Sequence, residues 1–178
     1  MNKLMRLLNA VVVAAGMLCG IANAVTFSAE PSGLRIDRTV EVDKPLDDVW
    51  RMWTTKEGVQ SFFAPQAKVE LRPSGAYEMH FNPNAPEGKK GSEGTIVIAY
   101  VPKEVFVFSW NAPGTFGKLR DEHTWVTLRF ESVSPTKTRV KFTHYGFGQG
   151  EEWAKVHQYF EKAWDFVLKN FSKAAAKE

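Results

Sequence analysis

Residues 151–173 read EEWAKVHQYFEKAWDFVLKNFSK. Within them Trp153, Val156, Phe160, Ala163, Trp164, Val167 and Phe171 recur at three- and four-residue steps. That spacing aligns side chains on one face of an α-helix. Gly148 and Gly150 precede the stretch, and Glu151 and Glu152 open it where the helix dipole favours acids. Lys169, Lys173 and Lys177 stand at the far end, where it favours bases. The stretch predicts a long C-terminal helix with a wide apolar stripe, and something equally apolar must cover that stripe.

The rest of the chain supplies strands. Leu34, Ile36, Val40 and Val42 alternate with Arg35, Asp37, Arg38 and Glu41, which predicts a half-buried first strand. Pro45 suits a helix entry, so residues 46–53 are expected as a short helix with Val49, Trp50 and Trp53 on one side. Thr54 or Thr55 can cap a second one over residues 56–63, which Ala64-Pro65 ends. Strands are expected at 67–71, 76–81, 94–101, 105–110, 124–131 and 138–145, separated by Pro- and Gly-containing turns. Residues 82–91 and 111–122 read as loops. Strands joined by short turns are antiparallel neighbours. The expected fold class is therefore α+β: a curved antiparallel sheet of about seven strands around the terminal helix, with two short helices after the first strand. A bent sheet cannot touch a straight helix everywhere, so a cavity is expected between them.

Strand parity selects its lining. Val126, Leu128 and Phe130 share one face, with Trp125 and Thr127 opposite; Val140, Phe142 and His144 form the matching apolar face of the next strand. Phe106, Phe108 and Trp110 share a parity, as do Tyr77, Met79 and Phe81. With Trp53 from the first helix and Phe160 and Trp164 from the last, the expected ligand-binding residues are Trp53, Tyr77, Met79, Phe81, Phe108, Trp110, Leu128, Phe142, His144, Phe160 and Trp164. His144 reads either as a core histidine bonded to a neighbour or as a polar handle at the cavity wall. Glu161, Lys162, Asp165 and Lys169 read as a solvated face with His157 at the stripe's edge, and His80 shares the outward parity of Glu78.

An ordered series of short pieces carries a resemblance: Pro45-Leu46-Asp47-Asp48-Val49-Trp50 with Trp53-Thr54-Thr55, Phe62-Phe63-Ala64-Pro65, Arg72-Pro73-Ser74-Gly75, Gly94-Thr95-Ile96, Phe108-Ser109-Trp110, Thr138-Arg139-Val140, Thr143-His144-Tyr145-Gly146-Phe147 and Trp164. The chain resembles the heat-shock protein 90 ATPase activator homologue-like branch of the SRPBCC superfamily, the START-like helix-grip proteins. The resemblance implies the helix-grip fold and a cavity that holds small apolar or amphipathic molecules in many members. It implies no shared reaction, because fold does not give function. The co-chaperone activity that named the branch belongs to a cytosolic protein and is not expected of an exported one.

Export is expected from the first 24 residues. Lys3 and Arg6 precede an apolar run from Val11 to Ile21, and Ala22-Asn23-Ala24 is a small-x-small cleavage pattern. The run is short for a membrane span. Leu18 before Cys19 does not suit a lipoprotein signal. The expected organisation is a signal peptide over 1–24 and one domain over 25–178, periplasmic or secreted, with no stable membrane insertion after cleavage. Cleavage leaves 154 residues, a net charge near +1 and no cysteine.

The 178 residues are 44% hydrophobic, 13% aromatic and 24% charged, with a net charge of +3. Scattered bases at that net charge do not make a nucleic-acid binder. No G-x-S-x-G elbow, phosphate loop or dinucleotide fingerprint occurs, and Gly146-Phe147-Gly148-Gln149-Gly150 reads as a strand-to-helix turn. His80, His123, His144 and His157 lack zinc-site spacing, so no metal and no cofactor is expected. Asp121-Glu122 beside His123 reads as solvated loop. No catalytic residue is assigned. The leading expectation is a monomeric binding module for a small apolar or amphipathic molecule. The alternatives are a cyclase- or lyase-type enzyme using His144 or Tyr77 as acid or base, and an interaction module presenting Trp125 or residues 111–122 to a partner protein or acting as a chaperone.

Overall fold

The computed structural model of the chain describes residues 33–177. The expected signal peptide, Cys19 and the lead-in to the first strand lie outside them. In order come β1 (Ile36–Val42), α1 (Leu46–Thr54), α2 (Lys56–Gln60), β2 (Gln66–Val69), β3 (Tyr77–His80), β4 (Val97–Val101), β5 (Val105–Trp110), a 3₁₀ segment (Gly114–Asp121), β6 (Thr124–Ser134), β7 (Lys137–Tyr145) and α3 (Glu151–Ala175).

Every strand pairing is antiparallel. Five strands run in the order β1-β7-β6-β5-β4, and β2 pairs with β3. The two groups join where Ala76 bridges Ile96 and the Tyr77 N–H donates to the Thr95 carbonyl at 2.9 Å. The sheet is thus one curved antiparallel wall of seven strands. It curls about α3, with α1 and α2 closing one end: the helix-grip arrangement.

The inner faces follow the expected parity. Phe106, Phe108, Val126, Leu128, Val140 and Phe142 are all essentially inaccessible. The register sets Leu128 opposite both Phe106 and Phe142, so large rings and branched chains alternate across three strands. On α3, Trp153, Val156, Phe160, Trp164, Val167 and Phe171 are buried as the stripe requires.

Local readings change in four places. The second helix stops at Gln60, where the Ser61 N–H and hydroxyl both donate to the Gly58 carbonyl, and residues 61–63 continue as turns. Arg38, counted with the polar set, shares the Ile36 parity and reaches α3, where its Nε donates to Asp165 at 2.7 Å. Residues 111–122, expected as loop, contain 3₁₀ turns broken at Gly117, whose φ is +57°. His80 keeps the face of Glu78, opposite Tyr77, but is half-buried rather than exposed, with Nε2 3.3 Å from Glu78 Oε2.

Candidate functional site

The space between sheet and helix is not where parity placed it. Under the middle of α3 the core is packed. Phe142 lies 4.6 Å from Trp164 between ring centres, and His144 lies 4.9 Å from Phe160. Trp53, Phe62 and Phe171 form a cluster with centres 4.8–5.2 Å apart. The open space is displaced to the rim: a cleft of about 1210 Å³ between residues 155–167 of α3, residues 81–92 and residues 110–120.

The eleven expected lining residues divide accordingly. Phe81, Trp110, Phe160 and Trp164 line the cleft. Trp53, Tyr77, Met79, Phe108, Leu128, Phe142 and His144 do not; they are buried core. The physical reason is that large rings interdigitate along the strand axes and fill the gap that curvature opens. The strands leave it only where they give way to loops.

His144 resolves as the core histidine. Trp164 Nε1 can only donate, and it donates to His144 Nδ1 at 2.8 Å. The ring proton therefore sits on Nε2, which donates to Thr124 Oγ1 at 2.7 Å. That hydroxyl in turn donates to the Trp110 carbonyl at 3.1 Å. Burial, with a smaller push from His157, lowers the His144 pKa to about 3. The imidazole is neutral, both nitrogens are occupied, and neither faces the cleft. Its link to the cleft is indirect, since it holds the Trp164 indole from behind. Tyr77 is likewise turned inward. Its hydroxyl donates to the Trp53 carbonyl at 2.8 Å, and burial raises its pKa well above the ordinary value.

The cleft floor is aromatic. Phe63 stacks against Trp110 at 5.4 Å and meets Trp164 edge-on at 5.6 Å, and Trp110 lies 5.3 Å from Trp164. Phe166 on α3 stands about two-thirds exposed at the mouth, and Tyr159 and Phe81 nearly half. Its far wall is held in shape. Glu93 accepts from the backbone N–H groups of Gly88 at 2.8 Å and Lys90 at 2.7 Å. Burial opposes the Glu93 charge, but the Gly88, Lys90 and Gly91 amides outweigh it and keep the carboxyl below its usual pKa. Gly91 passes so near the Met79 carbonyl that any Cβ would collide with it. Arg120 then ties the two loops, donating from Nη1 to the Ala112 carbonyl at 2.8 Å and from Nη2 to the Gly91 carbonyl at 2.6 Å. Asn111 adds a second tie through Nδ2 to the Glu93 carbonyl at 2.9 Å, while its own Oδ1 is buried without a partner.

Parity could not find Phe63, Asn111 or Arg120, because all three sit off the strands. Their signal was at most the aromatic pair Phe62-Phe63 before a proline. Asp121 and Glu122 are exposed and His123 is half-buried, its pKa lowered by burial and then by Arg120; none of the three lines the cleft. Among the described residues no group of three His, Cys, Asp or Glu side chains is placed to hold a metal ion, and no helix is long and apolar enough to cross a membrane.

A family model described as "Activator of Hsp90 ATPase homolog 1-like protein" matches residues 43–176. No curated protein is a significant sequence match. Among solved structures, a protein of Mesorhizobium loti is 14% identical, with a TM-score of 0.62 over 79% of this chain and 96% of that one. An HSP90 activator of Plasmodium falciparum is 18% identical, with a TM-score of 0.61 over 79% and 95%. A protein encoded in the dynemicin biosynthetic locus is 14% identical, with a TM-score of 0.57 over 78% of this chain and 46% of that one. At these identities the likeness is one of fold.

Proposed function

The chain belongs to the activator of Hsp90 ATPase homologue 1-like family of SRPBCC helix-grip proteins, and from that we propose that it is an exported binding module. It holds a small apolar or amphipathic molecule in the cleft beside α3. The observation that carries this reading is the Phe63–Trp110–Trp164 floor beneath an open space of about 1210 Å³. That volume lies somewhat above the ~300–1,000 Å³ range of small-ligand sites. The floor rings are themselves buried, and the rings that would recover contact area under a flat or apolar guest are Phe81, Tyr159 and Phe166 at the mouth above them.

An acid–base role for His144 or Tyr77 has no support in the geometry, because both are bonded inward and away from the cleft. A general acid or base must reach the proton it moves. The Hsp90 partner in the family's description is not carried over, since a chain delivered outside the cytosol does not meet it.

Native mass spectrometry of the protein recovered from its own compartment tests both halves. The reading expects a 154-residue chain beginning at Val25, and adducts from a panel of fatty acids, sterols and aromatic compounds. An intact Met1, or no adduct from any member of the panel, would contradict the corresponding half.

A further inference from the structure

The charge around the cleft is one-sided. Lys89, Lys90, Arg120, Lys155 and Lys162 line it, and no Asp or Glu does. Lys155 is paired with Glu152. Lys89, Lys90, Lys162 and Arg120 have no carboxylate within ion-pair distance among the described residues, although nine other lysines and arginines there do form such pairs, for example Arg139 with Glu41 and Lys141 with Glu131. Arg120 is held there by backbone carbonyls, which fix its guanidinium without neutralising it. A chain with net charge +3 gains nothing from gathering four unpaired cations at one mouth unless something negative comes to it.

The lining is also selective in shape. Seven of its residues are aromatic, and only Pro113, Ala163 and Val167 are aliphatic. Rings prefer offset-stacked and edge-to-face partners, which a flat ring system supplies and a flexible chain does not.

We propose that the molecule held in the cleft is an aromatic acid, its rings against Phe81, Tyr159 and Phe166 above the Phe63–Trp110–Trp164 floor and its anion among Lys89, Lys90, Lys162 and Arg120. This rests on the binding reading above and names its ligand class.

Two fluorescent probes of one scaffold test it. 2-Anilinonaphthalene-6-sulfonate carries the anion, and N-phenyl-2-naphthylamine lacks it; both keep the same rings and the N–H. The sulfonate binds at least tenfold more tightly, and its advantage shrinks as salt rises, because exposed charges are screened within about 10 Å at 0.1 M salt. The triple variant K89Q/K90Q/K162Q, which leaves the Arg120 ties intact, loses most of that advantage while its affinity for the neutral probe is unchanged. 2-Naphthoate displaces the sulfonate at lower concentration than decanoate does. Equal affinity for the two probes, an unaltered ratio in the triple variant, or the reverse displacement order overturns the aromatic-acid assignment and leaves the binding reading standing. Binding of neither probe overturns both.

Discussion

Two buried heterocycles show how differently a polar ring can sit in one core. His144 is satisfied at both nitrogens, and its removal strands the Trp164 indole N–H and takes away the bond that the Thr124 hydroxyl accepts, while that hydroxyl keeps its own bond to the Trp110 carbonyl. An unpaired buried group costs about 1–3 kcal/mol, so His144→Leu should destabilise the fold by roughly 2–5 kcal/mol, measured by urea unfolding. Trp53 Nε1 has no partner although the residue is fully buried. Trp53→Phe removes that unpaired donor but loses ring volume. The two effects oppose each other at about 1–3 kcal/mol each, so the net change should stay within about 2 kcal/mol. The pH dependence follows from His144 as well. Its folded pKa of about 3 lies below the unfolded value of 6.5, so the unfolded chain binds the proton first. The stability that neutral His144 contributes is complete above pH 6.5 and is lost as pH falls from there toward 3, by about 1.4 kcal/mol per pH unit. His123 shifts in the same direction. The comparison to make is therefore wild type against His144→Leu between pH 6.5 and 5, where the variant should show the shallower slope.

The turn that delivers α3 onto the sheet depends on one residue without a side chain. Gly146 follows β7 with φ at +89°, and a Cβ there would meet the Trp125 ring at 2.1 Å. Trp125 lies over it, stacked at 6.2 Å on Tyr145 of the neighbouring strand. A non-glycine residue in such a conformation costs about 1–3 kcal/mol before any clash. Gly146→Ala should therefore lower the thermal midpoint by several degrees and quench or shift the Trp125 emission. At this scale the sequence was most legible. The period of two in β5, β6 and β7 and the 3–4 spacing of α3 give the inner faces residue by residue, because one face of each element is dry and the other wet. Arg38 was misplaced for a physical reason: at an edge strand a long base can share the inner parity and still bring its head out to Asp165.

For the molecule as a whole, the wall and the rod were readable and the hollow was not. Parity says which side chains face inward; it does not say whether they meet. Here they do, through Phe142–Trp164 and Tyr77–Phe108 contacts at 4.6 and 4.5 Å, and the free space moves to where loops 81–92 and 110–120 stand off from α3. Those loops are shaped by backbone hydrogen bonds to Glu93, Asn111 and Arg120, a pattern with no periodicity to read. So four of the expected lining residues border the cleft, while Phe63, Lys89, Lys90 and Arg120 come from segments between the strands and Lys162 from the outer side of α3. The most direct test of the account uses the six tryptophan indole N–H signals in an ¹H–¹⁵N spectrum, titrated with 2-anilinonaphthalene-6-sulfonate. Occupation of the cleft should move the Trp110 and Trp164 resonances and leave Trp125, on the outer face of the sheet, where it was. Shifts centred on Trp125, or spread evenly over all six, would contradict it.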